Sequence, residues 1–171
     1  MAYTYVKIAS VIASSGTAAS LDFTSIPQGY TDLKLVASLR GTTGAQAYAT
    51  CQITINGSGA NILVKALYAS AGSGAGASVS ATSNAFEVSG VNATTSTFGL
   101  VEAYFPNYTS SNYKLAQIDS GQENNTTASY TQTMSSLWSQ TTAINQLTIA
   151  SSGFGPLAQY SSATLYGIKN S

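Results

Sequence analysis

Apolar residues in this chain recur at every second position and almost nowhere at the three-to-four-residue spacing of a helix face. In residues 32–40, Leu33, Leu35, Ala37 and Leu39 fall on one side, with Asp32, Lys34, Ser38 and Arg40 on the other. That spacing predicts a half-buried strand with its ionic side chains on one face. Residues 98–105 repeat the pattern, with Val101, Ala103 and Phe105 opposite Glu102 and Tyr104. The spans 3–13, 18–23, 48–55, 61–69, 113–119, 129–134, 146–150 and 163–169 read as further strands. Pro27-Gln28-Gly29, Asn56-Gly57, Pro106-Asn107 and Gly153-Phe154-Gly155-Pro156 punctuate them. Asn56-Gly57 is the strongest hairpin signal and is expected to return 61–69 onto 48–55. Eight to ten short strands without helical crossovers predict an all-β, antiparallel, jelly-roll-like β-sandwich. One domain over 1–171 is expected, with at most one short helix, at 135–144. Residues 69–85, nearly all Ala, Gly and Ser, read as a flexible surface loop.

Composition then narrows the function classes. Six Lys and Arg balance six Asp and Glu, and histidine is absent, while Ser, Thr, Ala and Gly fill half of the chain. Most catalytic and metal sites are assembled from the residue types that are scarce here. One Arg and five Lys are scattered from Lys7 to Lys169, so no cluster exists to displace counterions and no nucleic acid is expected as partner. No membrane partner is expected either, since no apolar run approaches the roughly 20 residues needed to span a bilayer. The start, Met1-Ala2-Tyr3-Thr4-Tyr5-Val6-Lys7, lacks the pattern of a signal peptide, which predicts synthesis in the cytoplasm without export. Zero net charge favours self-association, so much of the surface is expected to be covered by other copies or a larger assembly.

The individual candidates for chemistry each have a plainer structural reading. Cys51 shares its parity with Ala49, Ile53 and Ile55, and reads as a small core residue; a reactive thiol would need a basic neighbour. Gly72-Ser73-Gly74-Ala75-Gly76 fails the spacing of both phosphate-binding glycine loops. Ser111-Asn112-Tyr113-Lys114 matches Ser-x-x-Lys, but it straddles a turn into a strand and lacks a Lys-Thr-Gly companion. Glu102 and Asp119 are the carboxylates that adjacent strands would bring together, as glycoside hydrolysis requires. Asp119-Ser120-Gly121-Gln122-Glu123 is a weak calcium candidate. No catalytic, metal-ligating or cofactor-binding residue is assigned. Tyrosine is the enriched type, with eleven copies, and suits interfaces and sugar stacking alike. Tyr3, Tyr5, Tyr104, Phe105, Tyr108 and Tyr113 are the expected interface anchors.

Three stretches are distinctive together: 20–35 (Ser-Leu-Asp-Phe-Thr-Ser-Ile-Pro-Gln-Gly-Tyr-Thr-Asp-Leu-Lys-Leu), 53–58 (Ile-Thr-Ile-Asn-Gly-Ser) and 163–171 (Ala-Thr-Leu-Tyr-Gly-Ile-Lys-Asn-Ser). The arrangement resembles small virion proteins of tailed bacteriophages, including cyanophages. The shared features are a Phe-x-x-Ile-Pro segment, a Tyr-x-Asp-Leu strand, an Asn-Gly turn and a closing Leu-Tyr-Gly-Ile strand. The resemblance implies a jelly-roll-like fold, a virion location and a homotrimer, and it carries no catalytic residues. Physically, Phe23 and Ile26 can plug one end of a sandwich while Pro27 and Gly29 fix the turn, and Gly167 leaves room for a bulky neighbour.

Two functions follow as expectations. The first is a capsid decoration (cement) protein on the capsid exterior, bound to itself and to the major capsid protein or another virion component. The alternative is a head-fibre or tail-fibre module that recognises host surface glycan through Tyr108, Tyr113 and the 69–85 segment.

Overall fold

The computed structural model describes residues 4–14, 16–70, 73–123, 129–153 and 155–169. The first half of the chain forms β1 (Thr4–Ile12), β2 (Thr17–Ala18), β3 (Ser20–Phe23), β4 (Asp32–Leu39), β5 (Tyr48–Ile55), β6 (Ile62–Ser70), β7 (Ser73–Ala81) and β8 (Ala85–Ser89). The second half forms β9 (Gly99–Phe105), β10 (Lys114–Gln122), β11 (Tyr130–Trp138), β12 (Leu147–Ser151), β13 (Leu157–Ala158) and β14 (Ser162–Lys169). An eight-stranded sheet runs in the order β1-β14-β4-β9-β10-β11-β6-β7 and a four-stranded sheet in the order β3-β12-β5-β8; β13 and β2 form a small ribbon. Every ladder between these strands is antiparallel.

The alternation seen in the sequence is the burial pattern of the sandwich. Leu33, Leu35 and Leu39 of β4, Val101 and Phe105 of β9, and Ile118 of β10 point inward from the large sheet. They meet Leu21, Phe23, Cys51, Ile53, Ile55, Phe86, Val88 and Ile149 from the small one. Each such side chain, once fully buried, contributes about 1.5–3 kcal/mol. One end is closed as the sequence suggests: Phe23 and Ile26 are buried. The Ile26 N–H donates to the Asn145 carbonyl at 3.0 Å, and Gln28 Nε2 donates to the carbonyls of Ile26 and Ile144 at 2.7 and 3.0 Å. Gly167 makes room for the Tyr30 ring, which occupies the space that any Cβ there would need.

Three expectations are corrected. Asn56 and Gly57 both have positive φ, 50° and 74°, as a tight hairpin turn requires. Yet β6 does not return onto β5, because both edges of β5 are already taken by β12 and β8. The chain instead crosses to the large sheet, where β6 pairs with β11. The Asn56 side chain anchors that crossing by bonding the Ala143 carbonyl and the N–H groups of Asn145 and Gln146.

Residues 135–144 form no helix. Ser135 to Trp138 complete β11, with Ser136 and Trp138 continuing its buried parity. The carbonyls of Thr141 and Thr142 are held by Lys114 Nζ at 3.0 and 2.7 Å, so they are not free for helical bonds. Within 69–85, a paired strand replaces most of the expected loop: β7 runs antiparallel to β6, with Val79 and Ala81 packed on the core, while residues 71 and 72 lie outside the described residues. Pairing is made by backbone groups, so small side chains do not prevent it at a sheet edge.

Candidate interaction surface

Apart from one corner, where Asp32 and Ile168 are buried, the outer face of the large sheet is uncovered by any described element, and its side chains fall into cross-strand rows. The first row joins Leu63, Leu137 and Leu115 across β6, β11 and β10. The second runs Lys65, Ser135, Gln117, Tyr104, Lys34, and the third Leu67, Thr133, Asp119, Glu102, Val36. The fourth is Ala69, Thr131, Gly121, Leu100 and Ser38. Leu63, Leu67, Leu100 and Leu115 are each more than half exposed, with Leu115 at 58%. Above Gly121 nothing lies within 4 Å of where a Cβ would stand. That gap opens a groove of about 480 Å³ flanked by Leu67, Leu100, Asp119 and Thr131. A second hollow, of about 360 Å³, lies beside Leu63, Leu115 and Leu137 on the same face.

Glu102 and Asp119 do meet, directly opposite each other on β9 and β10. Each is already engaged. Glu102 Oε2 pairs with Lys34 Nζ at 2.8 Å, and this carboxylate holds the Lys34 ammonium above its ordinary range. Asp119 Oδ1 accepts from the Thr133 hydroxyl at 2.5 Å, and Gln117 Nε2 donates to Thr133 Oγ1 at 2.7 Å. The pair is thus the centre of a surface hydrogen-bond network, and both carboxylates line the groove beside Gly121. Residues 119–122 are extended strand, which sends successive side chains to opposite faces and cannot wrap an ion. Among the described residues no group of three His, Cys, Asp or Glu side chains could hold a metal.

The expected aromatic anchors divide. Tyr5 is 55% exposed on the edge strand β1, its ring set edge-on to Tyr166 with centroids 6.4 Å apart. Tyr113 is 59% exposed. Tyr104 is on the outer face, and its hydroxyl donates to the buried Asp32 carboxylate at 2.8 Å. Phe105 and Tyr108 are corrected: both are fully buried within the chain and cannot touch a partner. Phe105 follows the inward parity of β9, and the Tyr108 hydroxyl donates to the Pro27 carbonyl inside the closed end. Tyr3 lies outside the described residues.

Other sequence candidates settle into structural roles. Lys114 is buried over the Trp138 ring and donates to the carbonyls of Ser110, Thr141 and Thr142 at 2.6–3.0 Å; desolvation pushes its ammonium down. It ties the 139–146 segment to β10. Arg40 spans the carbonyls of Val91, Ala93, Thr94 and Thr97 and fixes that loop. Burial pushes the Cys51 thiol up to about 12, with Glu87 adding to it, so it stays protonated and inert.

The outward leucines are what the sequence reading missed. A signal for them exists in Ile62-Leu63-Val64-Lys65-Ala66-Leu67, where both parities carry large apolar residues. Such a strand is either covered on both faces or leaves one apolar face for a partner. Comparison with protein-family models, with curated proteins and with solved structures returns no match.

Proposed function

We propose that this chain is a structural protein of a tailed-phage virion, a decoration protein that sits on the capsid exterior and binds the shell. The observation that carries this reading is β1. Among the described residues it is an edge strand paired on one side only, with β14; Thr4 to Lys7, Ser10 and Ile12 are exposed, while Ile8, Ala9 and Val11 pack partly on the core. Tyr5, Val6 and Ile12 are all exposed, with Ile12 at 58%. A nine-residue edge of this kind presents unpaired backbone groups beside apolar anchors, the combination by which a strand adds to another protein's surface. The scarcity of charge agrees, because few ions need desolvating when such a surface is covered. The sequence resemblance to phage virion proteins points the same way.

The test uses capsid shells of the phage that encodes the chain, stripped of it and mixed with purified protein. Wild-type protein is expected to reload the shells to hundreds of copies per particle. Tyr5→Asp is expected to lower the affinity by about tenfold or more, the effect of losing one aromatic anchor. Its circular dichroism and melting temperature should match wild type. Absence of binding to shells, or capture by host polysaccharide in their place, would overturn the reading in favour of a receptor-binding module.

A further inference from the structure

We propose that two copies of this chain pack through the outer faces of their large sheets about a twofold axis, each seating Leu115 in the hollow above Gly121 of the other copy. The rows described above are the ground for it. An axis lying in the interface, across the strands and between the second and third rows, places the first row on the fourth and the second on the third. It keeps every strand over its own counterpart. Along β10 this sets Leu115, its exposed leucine, over Gly121, the one position on that strand with no side chain. Gln117 then faces Asp119, a donor against a carboxylate. Along β11 Ser135 faces Thr133, and along β9 Tyr104 comes beside Glu102. Sheets that pack face to face keep their strands within about 30° of each other, so the match holds best near the centre of the face, where β10 and β11 lie.

Charge and area both favour a second copy over another occupant. The face holds Lys34 and Lys65 against Glu102 and Asp119, equal numbers of each sign, so two copies present no net repulsion and a strongly charged partner gains nothing. The second to fourth rows across six strands, β14 to β6, and the first across three, at about 4.8 Å between strands and 6.8 Å between rows, cover roughly 690 Å² per copy. Two such faces bury about 1,400 Å² in total, within the roughly 1,200–2,000 Å² of specific interfaces. Because the same patch serves both copies, the contact closes on itself and ends at a dimer, in place of the trimer implied by the sequence resemblance.

The experiment needs no virion, so its failure is separable from that of the capsid reading. At tens of micromolar, light scattering on the purified chain is expected to give about 35 kDa, twice the 17.5 kDa of one copy. Gly121→Leu fills the hollow, its Cβ having no neighbour within 4 Å, and is expected to run at the mass of one copy with a little-changed melting temperature. Leu115→Cys and Gly121→Cys, mixed and treated with a short bis-maleimide that spans the roughly 10 Å between facing sheets, are expected to cross-link between copies, whereas either variant alone is not. Within one chain these positions are about 20 Å apart on a single strand, too far to bridge, and the native Cys51 is buried. A wild-type chain at the mass of one or three copies would overturn the proposal. So would an intact dimer of Gly121→Leu, or cross-linking of Leu115→Cys with itself.

Discussion

Tyr108 shows how one side chain's surroundings reverse its expected role. Crowded among aromatics at a turn, it reads as an exposed anchor; in the fold it is a core residue whose hydroxyl bonds Pro27. Tyr108→Ala is therefore expected to cost about 3–5 kcal/mol in denaturant unfolding, and Tyr108→Phe about 1–2 kcal/mol. Tyr113→Ala, at an exposed site, should stay within about 0.5 kcal/mol. Glu87 carries a pH dependence. Burial pushes its carboxyl above the ordinary value of 4.5, with the Thr50 hydroxyl pulling the other way. A raised carboxyl favours the neutral form in the fold, so its contribution is full below the ordinary value and is lost as pH rises through the raised one. Glu87→Gln stays neutral and still accepts from Thr50. It is expected to melt higher than wild type at pH 7 and to show a smaller difference between pH 4 and pH 7.

At the scale of the element, the strands were legible because period-two alternation is written residue by residue, as in Leu33-Lys34-Leu35. What was not legible is where each strand pairs. Asn56-Gly57 announces a tight turn truly, but the sequence around it does not say that β12 and β8 already hold both edges of β5. Strand β7 was hidden because Ala, Gly and Ser give no parity signal, and the buried lysine behind the 139–146 segment acts from a distant position. The glycine in the closing strand was readable in kind but not in partner. Gly167→Ala places a Cβ inside the Tyr30 ring and is expected to cost about 1–3 kcal/mol. Combined with Tyr30→Ala the two changes should be less than additive, since the second removes the clash made by the first; a double-mutant cycle measures this.

The whole molecule joins both sheets through one continuous core, to which Trp138, the chain's single tryptophan, belongs. Tryptophan fluorescence and far-ultraviolet circular dichroism are accordingly expected to trace one coincident unfolding transition; a tryptophan signal that changes first would divide the fold into two units. The surface was the least legible level. Charge balance raises only the expectation of a covered surface, whereas exposure of Leu63, Leu67, Leu100 and Leu115 emerges only when four strands are laid side by side in register. The register at the opposite margin of the large sheet has its own consequence. Thr4 lies across from Lys169, about 5 Å away, so the first and last described residues share one corner of the sheet. A linker of a few residues there would close the chain into a ring, and new ends could be opened at an exposed turn with every strand keeping its neighbours.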